Sequence, residues 1–428
     1  MDASTLRAAV DAAMPLAVEL FDTLRKETAD GAGVSRESYG AGEQLAHDLL
    51  TKTARALDLE TRVDFAGNLY LTLPGRDRSA PGWITGSHLD SVPMGGNYDG
   101  AAGVIAGIVV QAALRRSGEQ PPRDITVVGI RAEEASSWYE GSHNGHLGSR
   151  AALGMLPAKE LHAAVNSRSR RTLAQHIAEA GFDVDAIAAQ RVALDRGRYA
   201  GYVELHIEQG PVLENRAYPV GIVTAIRGSA RLRSARCIGE YTHSGAVPHE
   251  YRSDTVLATA ELCHRLDLAW EEVRNAGGDL VYTVGKLYTD PKAHALTKVP
   301  GETSFTIDLR SQSQVTLDAM MARTRELADE IGQRRRVRFE LGEWNLQEPS
   351  VMDEGLRGVL AREARVLGLE PLALPSGAGH DAQDFERADY PAAMIFVRNA
   401  HGSHNPFEAM DIADFALGTQ LLARFLTA

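Results

Sequence analysis

Cysteine is almost missing: Cys237 and Cys263 are the only two in 428 residues. They do not form a CxxC pair, so the sequence encodes neither a disulfide framework nor a thiolate zinc site, and both read as buried thiols. Positive charge is also in deficit. With Lys+Arg 45 against Asp+Glu 57, the net charge of -12 argues against nonspecific attraction to nucleic acid or to an anionic membrane. Long apolar runs are absent as well. The longest mainly apolar stretch, Ala101 to Leu114, is too short to span a hydrocarbon layer of about 30 Å. The N-terminal segment carries Asp2, Arg7, Asp11, Glu19 and Asp22 among its apolar positions, the pattern of an amphipathic helix rather than a signal peptide. No internal repeat or low-complexity tract occurs. These absences leave a globular protein, expected in the cytoplasm, with a small molecule as its partner and neither nucleic acid nor membrane.

What is present is organised. A chain of 428 residues exceeds what one hydrophobic core usually serves, so two domains are expected. Short apolar segments at 83–87, 124–130, 202–207 and 392–397 read as strands covered on both faces. They alternate with helical patterns at 4–27, 41–57, 100–116, 353–367 and 411–426. The expected fold class is α/β, with a mostly parallel sheet. Between about 230 and 344 the order changes to β-α-β-β-α-β, which is ferredoxin-like. The α/β pattern resumes afterwards, so the middle segment reads as an insertion. The expected division is 1–211 with 346–428 as the catalytic domain, and 212–345 as the inserted domain.

Chemistry gathers at strand ends. In "GSHLDSVPMGGNYDGAAGV", residues 86–104, His88 and Asp90 fall at i and i+2 after a strand. They share a side if the backbone stays extended, and a carboxylate holding the second nitrogen of an imidazole is the usual support of a metal-binding histidine. On this loop alone, Asp99 reads equally as a helix cap. Later strand ends decide between the readings. Glu133 and Glu134 follow the second strand, and their mutual repulsion calls for a cation nearby. His206 ends the third strand and His404 follows the fourth. Two ions would use all five ligand-type residues: His88 and His206 on one, Glu134 and His404 on the other, with Asp99 bridging. Mixed nitrogen and oxygen donors suit Zn²⁺ or Mn²⁺, and also Co²⁺ or Ni²⁺. Glu133, adjacent to a ligand but not itself one, is placed to move the proton of an attacking water to a leaving nitrogen.

Seven segments in order, "GSHLDSVPMGGNYDG", "EE" with the later "GSRAALG", "ELHIEQGPVLE", "HSGAVPHEYRSD", "FTIDLR", "SGAGHDA" and "MIFV…GSHNPFE", resemble the N-carbamoyl-L-amino-acid hydrolases and allantoate amidohydrolases. That group belongs to the dimetal aminoacylase and carboxypeptidase-G clan. The resemblance implies a homodimer in which the inserted domain is both lid and dimer interface. It implies Glu133 as general base, Asp90 as the orienter of His88, and His243 as a stabiliser of the tetrahedral intermediate. It also implies that Arg310 grips a substrate carboxylate, with Gln209, Ala378 and Gly379 in the substrate pocket. The implied reaction is hydrolysis of a linear amide, either the carbamoyl group of a carboxylate-bearing ureido substrate or, alternatively, an N-acyl amino acid or dipeptide on the same metals. A metal-stabilised binding or scaffold protein with a vestigial site is a third reading, from another class.

Departures from the family pattern cluster around the substrate. Thr297 stands where the family has an asparagine that helps hold the carboxylate, and His249 replaces a methionine. Trp138 and Tyr139 replace a Gly-Ser-Arg-Phe run. His143, His146 and His401 read as loop or pocket-wall residues rather than ligands, and His380 with Asp381 as either supporting groups or the first turn of a helix. Arg252 and Asp254 read as an ion pair at a helix start.

Overall fold

The short apolar segments expected as strands become the centre of one large sheet in a computed structural model that describes residues 2–142 and 145–428. The chain divides into two units, Met1–Thr224 with Met352–Ala428, and Ala225–Val351. In the first unit the strands run in the order Val220–Ile226, Ala392–Val397, Tyr199–Ile207, Gly82–His88, Ile125–Ile130, Leu69–Leu73, Glu60–Val63. The four central strands pair in parallel, with Val203 opposite both Ala393 and Thr85, and Thr85 opposite Val127. The outer pairings are antiparallel. A parallel sheet is therefore found at the centre only, and antiparallel edges are added to the expected fold. The edge strand Glu60–Val63 is exposed at all four positions, so it carries no apolar alternation from which a strand could be read.

Burial explains the central sequences. Ile125–Ile130 and Ala392–Val397 are buried at every residue, as strands covered on both faces must be. The helix Ala101–Arg116 packs on Gly82–His88, Tyr199–Ile207 and Ile125–Ile130 with Ala101 through Leu114 all buried, so the longest apolar run is a core helix. Each Val, Ile or Leu so buried contributes about 1.5–3 kcal/mol. Gly103 lets this helix approach, because a Cβ there would lie 2.3 Å from the Leu205 carbonyl oxygen. Among the described residues no helix is long and apolar enough to cross a membrane. The other expected helices occur as Ala3–Glu27, Ala41–Ala56, Glu354–Val366 and Ile412–Thr427. Three of them begin at aspartates: Asp2, Asp353 and Asp411 accept hydrogen bonds from the backbone N–H of Thr5, Leu356 and Ala413 at 2.9, 2.8 and 2.8 Å.

The first unit extends further along the chain than 211, because Val220–Ile222 pair with Val397–Ile395; residues 212–224 accordingly join it rather than the inserted segment. Within the second unit the elements are Gly228–Ile238, Thr255–Asn275, Val281–Thr283, Leu287–Tyr288, Glu302–Ser311, Gln314–Arg335 and Arg338–Glu340. The strand expected over "DLVYTVGKLYT" is thus split in two, and both pieces pair with Glu302–Ser311. The order Val281–Thr283, Glu302–Ser311, Gly228–Ile238, Arg338–Glu340 is antiparallel throughout. Along Glu302–Ser311 burial alternates residue by residue, so Phe305, Ile307 and Leu309 face Leu262, Leu266, Leu317, Leu327 and Ile331 of the two helices. Asp254 caps the first of those helices, accepting from Val256 and Leu257 N–H at 3.1 Å each. Arg252 instead donates to the Val247 carbonyl at 2.8 Å, which replaces the expected ion pair. Cys237 is buried and Cys263 partly so, both as free thiols.

Candidate metal centre

Parallel strands deliver their C-terminal ends to one rim, where ligands gather in open α/β sheets. His88 is the last residue of Gly82–His88, and His206 the penultimate residue of Tyr199–Ile207. Glu133 and Glu134 open a short 3₁₀ turn after Ile125–Ile130, and His404 lies in the loop after Ala392–Val397. Asp99 precedes the helix Ala101–Arg116, whose first turn it leaves uncapped by any side-chain bond. Its carboxylate turns to the imidazoles instead. Asp99 Oδ1 lies 3.2 Å from His206 Nε2 and 3.6 Å from His88 Nε2, and Oδ2 lies 3.3 Å from His404 Nε2. His404 Nε2 is 2.7 Å from Glu134 Oε1. The cap reading of Asp99 is thereby set aside by geometry.

The ring orientations show what the cage lacks. His206 Nδ1 lies 2.8 Å from the Ile207 carbonyl, and His88 Nδ1 3.1 Å from the Asp90 carbonyl and 3.3 Å from Asp90 Oδ1. With Nδ1 turned to those oxygens, each ring presents its Nε2 toward Asp99, and His206 Nε2 also accepts from the Gly100 N–H at 3.2 Å. Asp99 Oδ1 is buried and has no hydrogen-bond partner. Two imidazole nitrogens and a buried carboxylate oxygen converge on one point, where positive charge, of protons or of cations, is favoured. Two sets of three side chains have ligand atoms within 4.8 Å of one another and share Asp99: His88, Asp99, His206 and Asp99, Glu134, His404. The donor set therefore fits divalent ions.

The electrostatics agree. Burial would depress His88, yet Glu133, Asp90 and Asp99 hold it well above the usual imidazole range. His206 is likewise raised against burial by Asp99. Hydrogen bonds to Asp99 and Glu134 lift His404 to about 11. Burial works against ionisation of Asp99, but the three imidazoles keep its carboxyl well below the carboxylate norm. Burial pushes Glu133 up to about 8, despite the nearby His146 and His88.

Asp90 is a hub. Its Oδ1 accepts from Glu133 N–H at 3.1 Å and its Oδ2 from Glu134 N–H at 3.0 Å and Ser38 Oγ at 2.5 Å. One buried carboxylate thus fixes both His88 and the backbone of the glutamate pair. Gly100 has φ +66, and a Cβ there would fall 2.4 Å from the His88 ring, so the helix can open against that ring only at glycine.

Gln209 donates to Asp99 Oδ2 at 2.9 Å. Ala378 and Gly379 lie in the turn between Leu372–Ser376 and Ala382–Arg387, where Ser376 Oγ accepts from Ala378 N–H at 3.2 Å. The remaining candidates, His243, Thr297 and Arg310, belong to the second unit. There His243 pairs with Lys298, the Thr297 carbonyl accepts from Ser244 N–H at 3.0 Å, and Arg310 donates to Asp308 Oδ2 at 2.9 Å. His243 and Thr297 are exposed. Trp138 and Tyr139, expected against the substrate, are instead core residues, each 1% exposed. Trp138 Nε1 donates to the Ser91 carbonyl at 2.8 Å and Tyr139 Oη to the Ser38 carbonyl at 3.2 Å, so the aromatic pair pins the loops that carry Asp90. His143 lies outside the described residues.

Some residues were not singled out from sequence. Glu408, within the quoted "GSHNPFE", accepts from Tyr98 and Asp99 N–H at 2.8 and 3.2 Å and from Ser403 Oγ at 2.5 Å, and Ser403 also contacts Asp99 Oδ2 at 2.7 Å. His380, read from sequence as a supporting group or a helix start, packs edge-on against His206 with ring centres 4.5 Å apart, and with Glu204 forms a third cluster around that residue. Glu204 is already satisfied by Ser87 Oγ at 2.6 Å and Ala382 N–H at 2.9 Å. It supports the rim rather than offering free oxygens.

Fold and cage together define an α/β protein with candidate metal-binding side chains gathered at the ends of parallel strands. Residues 84–428 match the model of "Peptidase family M20/M25/M40". An N-carbamoyl-L-amino acid amidohydrolase of Geobacillus stearothermophilus is 34% identical over 391 residues, 91% of this chain and 92% of that protein. An allantoate amidohydrolase of Escherichia coli (strain K12) is 33% identical over 405 residues, 92% of each. The crystal structure of an amidase of the hydantoinase/carbamoylase family from Burkholderia phymatum covers 95% of both chains with 31% identity and a TM-score of 0.81. The chain belongs to the peptidase M20/M25/M40 family, among its N-carbamoyl-L-amino-acid and allantoate amidohydrolases.

Proposed function

We propose that this chain hydrolyses a linear C–N bond that is not a peptide bond, the carbamoyl group of an N-carbamoyl amino acid or an allantoate-like carboxylate, yielding ammonia, carbon dioxide and an amine. His88 and His206 would hold one divalent ion, Glu134 and His404 a second, and Asp99 both, with Zn²⁺ or Mn²⁺ suited to the donors and Co²⁺ or Ni²⁺ acceptable. Such ions polarise a carbonyl and lower the pKa of water. The chain's own residues do the rest. Asp90 holds His88 in the tautomer that presents Nε2. Glu133 Oε2, 3.8 Å from His88 Nε2, takes the proton of the attacking water and hands it to the departing nitrogen. Arg310 binds the substrate carboxylate by its planar fork, His243 stabilises the tetrahedral intermediate, and Gln209, Thr297, Ala378 and Gly379 contact substrate. These roles rest on the motifs that carry them. The inserted segment acts as a ferredoxin-like lid and as the interface of a homodimer, in a cytoplasmic protein.

The observation that carries the reading is Glu133: a buried carboxyl beside the cage that belongs to neither of the ligand sets sharing Asp99. Removing such a base costs about 10²–10⁴-fold in rate. Over a panel of amides, ammonia release from ureido acids, and release of the free amino acid from N-acyl amino acids and dipeptides, by metal-loaded protein test it. Turnover of ureido acids is expected, with Glu133→Gln lowering kcat by about 10³-fold while metal content is unchanged. Turnover of acyl or peptide amides alone would shift the substrate class, and full activity in Glu133→Gln would remove the mechanism.

A further inference from the structure

We propose that His146 and Asp384 are positioning residues for Glu133, so that the proton-transferring carboxyl is the end of a hydrogen-bonded chain Asp384–His146–Glu133; the proposal rests on the role given to Glu133 above. His146 Nδ1 lies 2.9 Å from Asp384 Oδ2, and His146 Nε2 lies 3.1 Å from Glu133 Oε1. All three side chains are buried. With the Asp384 carboxylate accepting from Nδ1–H, one proton lies between Nε2 and Oε1. Oε1 is thereby engaged, and Oε2 is the oxygen left toward His88. The terminal torsion of a glutamate is broad and roughly two-fold, so the carboxyl has no preferred plane of its own. The bond to His146 selects one.

The backbone is bent to make this contact. His146 N–H donates to the Glu133 carbonyl at 2.8 Å, Leu147 N–H to Ala132 at 3.0 Å and Gly148 N–H to Arg131 at 2.9 Å. Residues 146–148 therefore run bonded along 131–133, and His146 grips Glu133 by main chain and side chain together. Ala132 and His146 pay for this with φ of 55° and 51°, a left-handed conformation that residues other than glycine adopt only where surroundings enforce it. Asp384 is fixed in the helix Ala382–Arg387, its second oxygen 3.6 Å from Arg387 Nη1, while Gln383 Nε2 stands 3.2 Å from His146 Nδ1. His47 shows the inert alternative: an equally buried histidine with neither ring nitrogen hydrogen-bonded. A base oriented by a second group that is itself held by a third is the arrangement that fixes tautomer and aim in hydrolytic triads.

His146→Gly is the diagnostic variant, because φ of 51° suits glycine and the substitution removes the ring without straining the chain. The assay uses metal-loaded protein and whichever amide of the panel the wild type turns over, with kcat and KM separated. His146→Gly is expected to lower kcat about 100-fold with KM and metal content held, and added imidazole to restore about tenfold of it. Asp384→Ala should lower kcat about tenfold, and Asp384→Asn, whose amide can donate to Nδ1 and so favour the opposite tautomer, should lower it at least as far. Unchanged kcat in His146→Gly, or a loss that imidazole does not reverse, overturns the proposal. The chain of bonds is read independently by ¹⁵N NMR of the histidine rings: a slowly exchanging His146 Nδ1–H that Asp384→Ala removes is expected, and its absence from the wild type also overturns the proposal. An active wild type with an inactive Glu133→Gln and a fully active His146→Gly would leave the role of Glu133 standing and remove only its positioning chain. An inactive wild type would fault the reading of Glu133, and the ring proton alone would then decide for or against the chain.

Discussion

The rim of the first unit and the loops of the inserted unit treat their functional candidates in opposite ways. At the rim, His88, Asp90, Asp99, Glu133, Glu134 and His206 are buried, with Asp90 holding His88 and the backbone of the glutamate pair, while His404 keeps 49% side-chain exposure. In the inserted unit His243 is exposed, with Nδ1 accepting from Gly245 and Ala246 N–H at 3.1 and 3.2 Å, and Arg310 retains 36% side-chain exposure beside Asp308. Burial makes the first set costly to alter and specific in chemistry. Exposure makes the second set cheap to alter and adaptable in what it recognises. Fixed chemistry with variable recognition follows from where each set sits.

The comparison breaks most sharply at Asp99. Asp99→Ala removes the residue that joins the set His88, Asp99, His206 to the set Asp99, Glu134, His404, so metal content should fall from about two ions per chain to fewer than one, with turnover at background. His243→Ala should leave metal content unchanged. Elemental analysis of both variants after gel filtration measures the contrast, and equal metal content in the two would erase it.

A smaller effect sharpens the same contrast through pH. In the metal-free chain hydrogen bonds to Asp99 and Glu134 raise His404 to about 11, and Asp99 raises His206 against burial. The His404 ring holds a proton through neutrality that a metal must displace. Affinity therefore rises with pH, by about one decade per unit for each proton released. Calorimetric titration between pH 6 and 8 in buffers of different ionisation heat counts those protons. Binding that is independent of pH would mean that the imidazoles are not the ligands.

Legibility in the sequence followed the same division. His88, Glu134, His206 and His404 could be found because each lies at or just past a strand whose burial on both faces writes an unbroken apolar run. Asp99 was ambiguous on its own loop, since an aspartate before a helix is also a cap, and the ligand-type residues at later strand ends decided it. The edge strands escaped because Glu60–Val63 is exposed throughout. His146 was read as a loop or pocket-wall residue, and its contact with Glu133 escaped for a different reason. It reaches Glu133 by a left-handed turn, and such a turn imposes no spacing on the chain that could be recognised. Trp138 was misplaced because a large aromatic next to a catalytic pair looks like a pocket wall, whereas its indole is tied to the Ser91 carbonyl beneath the site. In the inserted unit, the pattern of strands and helices was readable from alternation, but the roles of His243, Thr297 and Arg310 came from resemblance alone. Exposed polar side chains on loops and strand faces carry no periodic signal of purpose.

Arg310 gives the mildest test and the one most specific to recognition. It sits on Glu302–Ser311 opposite Ser229 and Val281, and its bond to Asp308 is partly solvent-exposed on both sides, a pair worth about 0–1 kcal/mol. Arg310→Ala should therefore leave the melting temperature and metal content nearly unchanged. If the guanidinium binds a substrate carboxylate, the charged bonds lost are worth about 1.5–3 kcal/mol, which raises KM roughly 10- to 100-fold for carboxylate substrates. An amide lacking the carboxylate loses nothing, because there is no anion for the guanidinium to hold. The ratio of kcat/KM for a ureido acid to that of its methyl ester separates these outcomes. It should collapse toward unity in Arg310→Ala, and a ratio equal to that of the wild type would place carboxylate recognition elsewhere in the chain.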